Sequence, residues 1–576
     1  MGHVWKEDDA RATATLILSV FVSCLGNSFL YGYQIGVVNQ PANLIMEFYN
    51  KTYYERRGGN WDRMEAYDDY VQDRNITDTE AATKFGLNIS DVSTLPSGTN
   101  KSFTPELFGA DTSLLLEDWE IKILWSTTVA AFVLFGMFGA FMSAKVADYF
   151  GRKMGMLVIT FLMFIAAVLG GITLAAKSPE CLIASRVFVG LHSGLNITCC
   201  PLYLTEISPK KIRGAIGTCH QLAITIGILV SQILGLKELF GTADLWPYLF
   251  AFNALPSLFC LIFLPFFPES PRFLLIKKGE EDEARKALAR FRGTDNISDE
   301  IEEMRVEARR SVGVKNYTIK ELVTTPELRM PVIIACVLQI GQQWSGINAV
   351  MSYSSAMFEQ VSVSKDTIPY IVVATGVINV LCTVVAVPLM EKLGRRPLLL
   401  YPMMCMLASF IIMIIFLNLQ EKEDLKEHHS SFAYVCIFVM HTYVIGFALG
   451  LGPIPFIVVG EIFRQEPRAA AMSLSLAFNW ICNFTLMLTF PFLKDGLKEF
   501  VYIPFSVVLI CAITFIFFLV PETKNRTFDE IASSIAFGGR ARGQNKAYGV
   551  NEEAEPMDTS KGYATSSREE TDTNKV

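Results

Sequence analysis

Asp148-Tyr-Phe-Gly-Arg-Lys153 and its echo Glu391-Lys-Leu-Gly-Arg-Arg396 decide the fold of this chain. Each follows an apolar run long enough to cross a bilayer. Two further pairs recur in the same order: Glu206-Ile-Ser-Pro-Lys-Lys-Ile-Arg213 with Glu461-Ile-Phe-Arg-Gln-Glu-Pro-Arg468, and Pro268-Glu-Ser-Pro-Arg272 with Pro521-Glu-Thr-Lys524. Three matches, each displaced by about 250 residues, imply a duplicated chain.

Composition agrees with a membrane protein. Hydrophobic residues make up 51% of the 576 residues and charged residues 19%, which removes the chain from the soluble class. Apolar runs of about 20 residues fall at 13–38, 123–146, 154–176, 182–204, 215–236, 246–267, 332–358, 368–390, 398–419, 432–459, 469–493 and 500–520. The expected fold is therefore an all-α membrane protein, twelve transmembrane helices in two pseudo-symmetric six-helix halves, 13–267 and 331–520. A duplicated bundle of this kind suits alternating access, the halves rocking about a site near the bilayer midplane.

Arg152 and Lys153, Lys210, Lys211 and Arg213, Lys392, Arg395 and Arg396, and Arg464 and Arg468 all follow even-numbered spans. The positive-inside rule puts these loops and both termini in the cytosol. The polar loop 48–118 is then external, and it holds the glycosylation sequons at Asn50, Asn75, Asn88 and Asn100. Segment 268–330 reads as a cytosolic linker of short amphipathic helices with turns at Gly293 and near Gly313. Residues 1–12 form a cytosolic N-terminus and 521–576 a cytosolic tail, disordered after about 538. Arg152, Glu206, Arg213, Arg395, Glu461 and Arg468 form a charge network at the cytosolic ends, expected to close the inner side and favour the outward-facing state. A role only in setting topology is the other reading.

The net charge of -7 indicates no nucleic-acid partner. All 12 cysteines lie in or beside apolar segments, so neither a disulfide framework nor a zinc site is expected. No metal, cofactor or obligate protein partner is implied beyond membrane lipid, and no removable signal peptide precedes the first span. Paired carboxylates and metal-spaced histidines are missing from the spans, which argues against an enzyme.

The seventh span is oddly polar. Within QIGQQWSGINAVMSYSSAMF, residues 339–358, Gln339, Gln342 and Gln343 share one helix face, and Gly346 allows the backbone to loosen. Carboxamides donate and accept, which suits a neutral polyol; helix packing is the alternative use.

These residues resemble the facilitative sugar transporter (GLUT) family of the major facilitator superfamily. The carrying motifs are Gly32-Tyr-Gln-Ile-Gly36, the two Gly-Arg loops, Pro268-Glu-Ser-Pro-Arg272, Gln342-Gln-Trp-Ser-Gly-Ile-Asn348, Gly452-Pro-Ile-Pro-Phe456 and Pro521-Glu-Thr-Lys-Asn-Arg526. The resemblance implies a sugar site between the halves, with Gln221, Gln342, Gln343, Asn348, Asn379 and Asn483 as hexose-contacting amides and Tyr31, Phe456 and Trp480 as stacking or gating aromatics. Pro453 and Pro455 remove backbone donors from the tenth span, and the resemblance makes that span a gate. Proton-coupled relatives place an Asp where this chain has Gln34; an amide does not titrate, so an uncoupled uniporter at the plasma membrane is expected. His192, His220 and His441 leave a proton-coupled symporter as the alternative, with a non-transporting sugar receptor behind it. Features of the fructose-carrying branch, Ala448 and the segment NKTYY at 50–54, stand beside glucose-branch features, His220-Gln221 and Asn479-Trp480, so fructose and glucose both remain open.

Overall fold

The computed structural model describes residues 13–72, 110–209, 212–311, 317–360, 363–364, 366–420, 429–524, 526 and 528–536. The expectations for residues 1–12, Asn75, Asn88, Asn100, Lys210, Lys211, Gly313 and the tail after 538 lie outside them.

Eleven described helical stretches are long and apolar enough to cross a membrane: Ala14–Gly36, Thr112–Phe150, Arg152–Gly171, Pro179–Ile207, Ile216–Leu234, Trp246–Phe266, Pro326–Glu359, Ile368–Met390, Arg395–Leu419, Ser431–Ile462 and Glu466–Phe500. Ile503–Leu519 is the twelfth, 17 residues or about 25 Å at the helical rise of about 1.5 Å per residue. Helices are what hydrocarbon demands, because each backbone donor finds its acceptor inside the segment. Large apolar side chains such as Phe138, Phe141, Leu381 and Phe438 point outward and are exposed on the protein itself; lipid is the solvent that accepts them.

The repeated motifs tie the same knot twice. Gly151 and Gly394 break the second span from the third and the eighth from the ninth, both at φ 90° and ψ 176°, backbone conformations that side chains resist. Just after each glycine a helix begins, and its free N–H groups meet a carboxylate. Glu269 accepts from the backbone of Arg152 (3.1 Å) and Lys153 (2.9 Å), and Glu522 from Arg395 (2.9 Å) and Arg396 (3.0 Å), each anion sitting at a positive helix end. The arginine side chains then close the knot. Arg152 binds Glu206 at 2.9 Å, with Ser270 also donating to Glu206; Arg395 binds Glu461 at 2.7 Å, with Thr523 donating at 2.5 Å. All the bonded residues of each knot lie in one half or at its end.

Bonds between the halves gather on the opposite face. Asn39 donates to Ser354 (2.6 Å) and accepts from the Ser355 backbone (3.2 Å); Lys237 pairs with Asp366 (2.8 Å), Tyr370 donates to Glu238 (2.7 Å), and Lys122 pairs with Asp495 (2.5 Å). Deeper in, Trp480 of the eleventh span lies against Gly136 of the second, where a Cβ would sit 2.3 Å from the indole.

Segment 48–118 differs from a plain loop. It opens with helices Ala42–Arg56 and Trp61–Gln72. Ile45, Phe48, Tyr49 and Thr52 share one face and are buried, as helical spacing allows; Tyr49 bonds Thr128 at 2.7 Å. Interleaved Lys51, Glu55, Arg56 and Arg57 mask that face in the sequence. In segment 268–330, helices Glu281–Arg292 and Ser298–Ser311 pack Leu288, Ile301 and Met304 together, and Gly293 ends the first at φ 68°.

Gly151→Ala and Gly394→Ala are each expected to cost about 1–3 kcal/mol from backbone strain. In addition, a Cβ at either position lies 2.7 Å from its capping carboxylate. Thermal melting of the purified protein checks this, and Glu269→Gln, which keeps an acceptor, should melt above Glu269→Ala.

Candidate functional site

The seventh span is two helices, Pro326–Trp344 and Ile347–Gln360. Gly346 stands between them at φ 93° with the Phe505 ring 3.2 Å from where a Cβ would be. Breaking a helix in hydrocarbon frees carbonyls that must be satisfied. Ser345 donates to the Gln342 carbonyl (2.7 Å), and Tyr443 to the Ser345 carbonyl (2.8 Å).

The tenth span is broken as well, into His429–Leu449 and Ile454–Ile462. Pro455 lacks the N–H that would reach the Leu451 carbonyl four residues back. Gln342 supplies the missing donor: its Nε2 donates to Leu451 O at 2.7 Å and Gly452 O at 2.9 Å. Its Oε1 accepts from Asn479 Nδ2 at 2.7 Å, and the same amide donates to Gln339 Oε1 at 2.7 Å. Gln342 therefore joins the breaks of the seventh and tenth spans to the eleventh. Gln339, ambiguous in the sequence, has a packing role through Asn479.

Gln343 and Asn348 are bonded to one another, Asn348 Nδ2 donating to Gln343 Oε1 at 2.5 Å. Asn348 also borders a cavity of about 20 Å³ between the halves, lined by Tyr31, Gln34 and Arg186 on one side and Asn348, Ser352 and Asn483 on the other. The space holds about one water. Two buried atoms of its lining residues have no hydrogen-bond partner among the described residues, Asn483 Oδ1 and Arg186 Nε, and leaving such groups unsatisfied is costly.

Arg186 is a residue that sequence reasoning missed. It is 1% exposed, donates to Gln34 Oε1 at 2.6 Å, and lies 4.7 Å over the Phe132 ring. An arginine alone in an apolar run is itself a signal of function. Its charge meets a neutral amide and a π-face rather than a carboxylate, so the centre of the molecule disfavours cations.

The remaining expected residues are dispersed. Gln221 is half-buried on the fifth span beside His220, whose Nδ1 is 2.6 Å from Ser28 Oγ. Asn379 and Trp480 are buried, Phe456 and Pro453 are half-buried, and Pro455 is buried. Gln221, Asn379, Phe456 and Trp480 do not line the small cavity. His441 Nε2 is 3.1 Å from Thr375 Oγ1. Arg468 donates to the Phe463 carbonyl at 3.1 and 3.2 Å, and Arg213 lines a separate cavity near the basic loops.

Residues 19–534 match the family described as "Sugar (and other) transporter". Facilitated glucose transporter member 1 of Gallus gallus is 37% identical over 536 residues, covering 93% of this chain and 96% of its own. Member 3 of Ovis aries is 38% identical, covering 92% and 94%, and member 5 of Pongo abelii 35%, covering 91% and 92%. Among solved structures, the partially occluded inward-open xylose transporter XylE of E. coli superposes with a TM-score of 0.65 at 22% identity, covering 89% of this chain and 100% of that one; this likeness concerns the fold.

The amide strut predicts coupled substitutions. Gln342→Ala and Asn479→Ala should each lower the melting temperature, and the double variant should lose less than the sum, by a coupling of about 0.5–3 kcal/mol. A double-mutant cycle on the purified protein reads it out.

Proposed function

The chain belongs to the sugar transporter family, and on that premise we propose that it carries a hexose, glucose or fructose, down its gradient across the plasma membrane by alternating access. The observation that carries this reading is the cavity where both halves meet, with an orphan acceptor on Asn483 and an orphan donor on Arg186. Sugar hydroxyls donate and accept, and can serve both. A hexose also displaces the Asn348–Gln343 bond and turns those amides to its own hydroxyls. Tyr31 supplies an apolar ring to the sugar's C–H face. The names of the relatives as facilitated glucose transporters support the substrate class.

Gln342 has a different part in this scheme. Bound to the tenth-span break, it passes movement of the seventh span to the Pro453–Pro455 gate. Pairing of Gln34 with Arg186 leaves no carboxylate at the position where a proton would load, which supports uniport over symport.

Basic loops belong in the cytosol by the positive-inside rule, and both termini with them. The halves are latched on the opposite face, so the arrangement is inward-facing. In the outward-facing state Arg213 and Arg468 come to the acidic groups of the facing half. Asn50 is then external. Its side-chain Oδ1 accepts from Leu116 N at 3.0 Å, a bond that engages the amide oxygen rather than the nitrogen where an oligosaccharide attaches; Asn50, Asn75, Asn88 and Asn100 are the proposed sites.

Uptake of labelled glucose and fructose into proteoliposomes tests the function. Saturable uptake that stops at the external concentration, with or without a pH gradient, is expected; proton-driven accumulation contradicts uniport, and uptake of neither sugar contradicts transport. Asn483→Ala should raise KM about 2- to 10-fold, the range of one hydrogen bond, with little loss of melting temperature.

A further inference from the structure

Beside the loop that follows the fourth span, facing the basic side, is a cavity of about 310 Å³. Its size falls in the range of small-molecule sites, about 300–1,000 Å³. Four cations line it, Arg152, Arg213, Arg272 and Lys277, against two acids, Glu206 and Glu307. Both acids are already engaged. Glu206 takes Arg152 and Ser270, and Glu307 takes Arg272 through bonds of 2.8 and 3.0 Å. Lys277 reaches outward to Asp148 at 3.1 Å.

Arg213 is left over. Its Nε is buried without a hydrogen-bond partner among the described residues. Burial, and then the neighbouring guanidinium groups of Arg272 and Arg292, lower its proton affinity, against an opposite pull from Glu303 and Glu307. Arg213 also opens the helix Arg213–Leu234, whose N-cap Ile212 makes no side-chain cap bond; the helix dipole adds positive potential there. A charge this poorly compensated, facing a cavity, is a place for an anion rather than for the neutral hexose.

We propose that this cavity binds a phosphomonoester dianion, with Arg213 as the principal ligand and Arg272 and Lys277 in support. A guanidinium fork matches the phosphate oxygens in pairs, and the remaining volume takes a compact organic group. Two sources share the chemistry: a soluble phosphomonoester such as a hexose phosphate, and the monoester headgroup of phosphatidate. Occupancy also has a consequence that rests on the proposed alternating access. An anion held by Arg213 keeps that residue on its own half and slows closure of the basic face, so hexose exchange falls.

Equilibrium binding to the purified full chain tests the site without reference to transport. The probes are radiolabelled inorganic phosphate, hexose 6-phosphate as competitor, and vesicles with and without phosphatidate. Saturable phosphate binding, displaced by hexose 6-phosphate and weakened on the order of tenfold or more by Arg213→Gln, supports a soluble ligand. Phosphatidate-dependent vesicle binding lost in Arg213→Gln, with inorganic phosphate inert, supports the lipid source. Binding of none of these, or binding unchanged in Arg213→Gln, overturns the site. Arg213→Lys, which keeps the charge and loses the fork, should bind with intermediate strength and serves if the glutamine variant melts early; Lys286→Gln, on the exposed linker, should bind as the parent does. Hexose exchange slowed by phosphate inside proteoliposomes, in the parent and not in Arg213→Gln, supports the gating consequence; binding without slowing overturns that consequence and leaves the site.

Discussion

A carbonyl freed inside hydrocarbon must find a donor, and the centre of this molecule is arranged around that demand. Pro455 denies Leu451 O its helical partner, and the Gln342 side chain, from another span, replaces it at 2.7 Å. The same side chain accepts from Asn479. One amide therefore sets the relative position of three spans, at the two places where the helices are broken. Gly346 makes the first break possible and Tyr443 seals it.

Around this fixed point the two halves are built alike and joined unlike. Each half ends in a knot of glycine, carboxylate cap and arginine–glutamate pair, and these knots are internal to their halves. The hydrogen bonds and ion pairs between halves named above are placed on one face, while side-chain packing such as Trp480 against Gly136 joins the halves deeper in. Most are exposed pairs of the sort worth up to about 1 kcal/mol each. Knots internal to each half and individually weak polar latches between halves suit the proposed rocking, in which the latches part while each half keeps its own fold.

Much of the fold was legible because hydrocarbon writes in a simple code. Apolar run length gave the spans, and the repeat at Gly151 and Gly394 gave the halves. Pairing was harder to read. Gln342 was expected as a ligand contact by residue type; in the structure it also donates to the carbonyls of Leu451 and Gly452, a pairing that no local pattern reveals and at which only Pro453 and Pro455 hinted. Arg186 escaped attention because a span count treats one charge as noise. Helix Ala42–Arg56 was hidden by its charged outer face. Asn348 and Asn483 were read as site residues from the resemblance, and they border one cavity with Tyr31; Gln221 and Asn379 stand off from it.

The central claim is that a hexose completes the polar wall shared by the halves while Gln342 keeps its hold on the tenth span. A structure of the full chain with bound hexose tests it most directly. The account predicts sugar hydroxyls within about 2.7–3.2 Å of Asn483 Oδ1 and of the Asn348–Gln343 pair, with Gln342 Nε2 still on the Leu451 carbonyl. A sugar bound away from Asn483, or Gln342 released from Leu451 to hold the sugar, would contradict it.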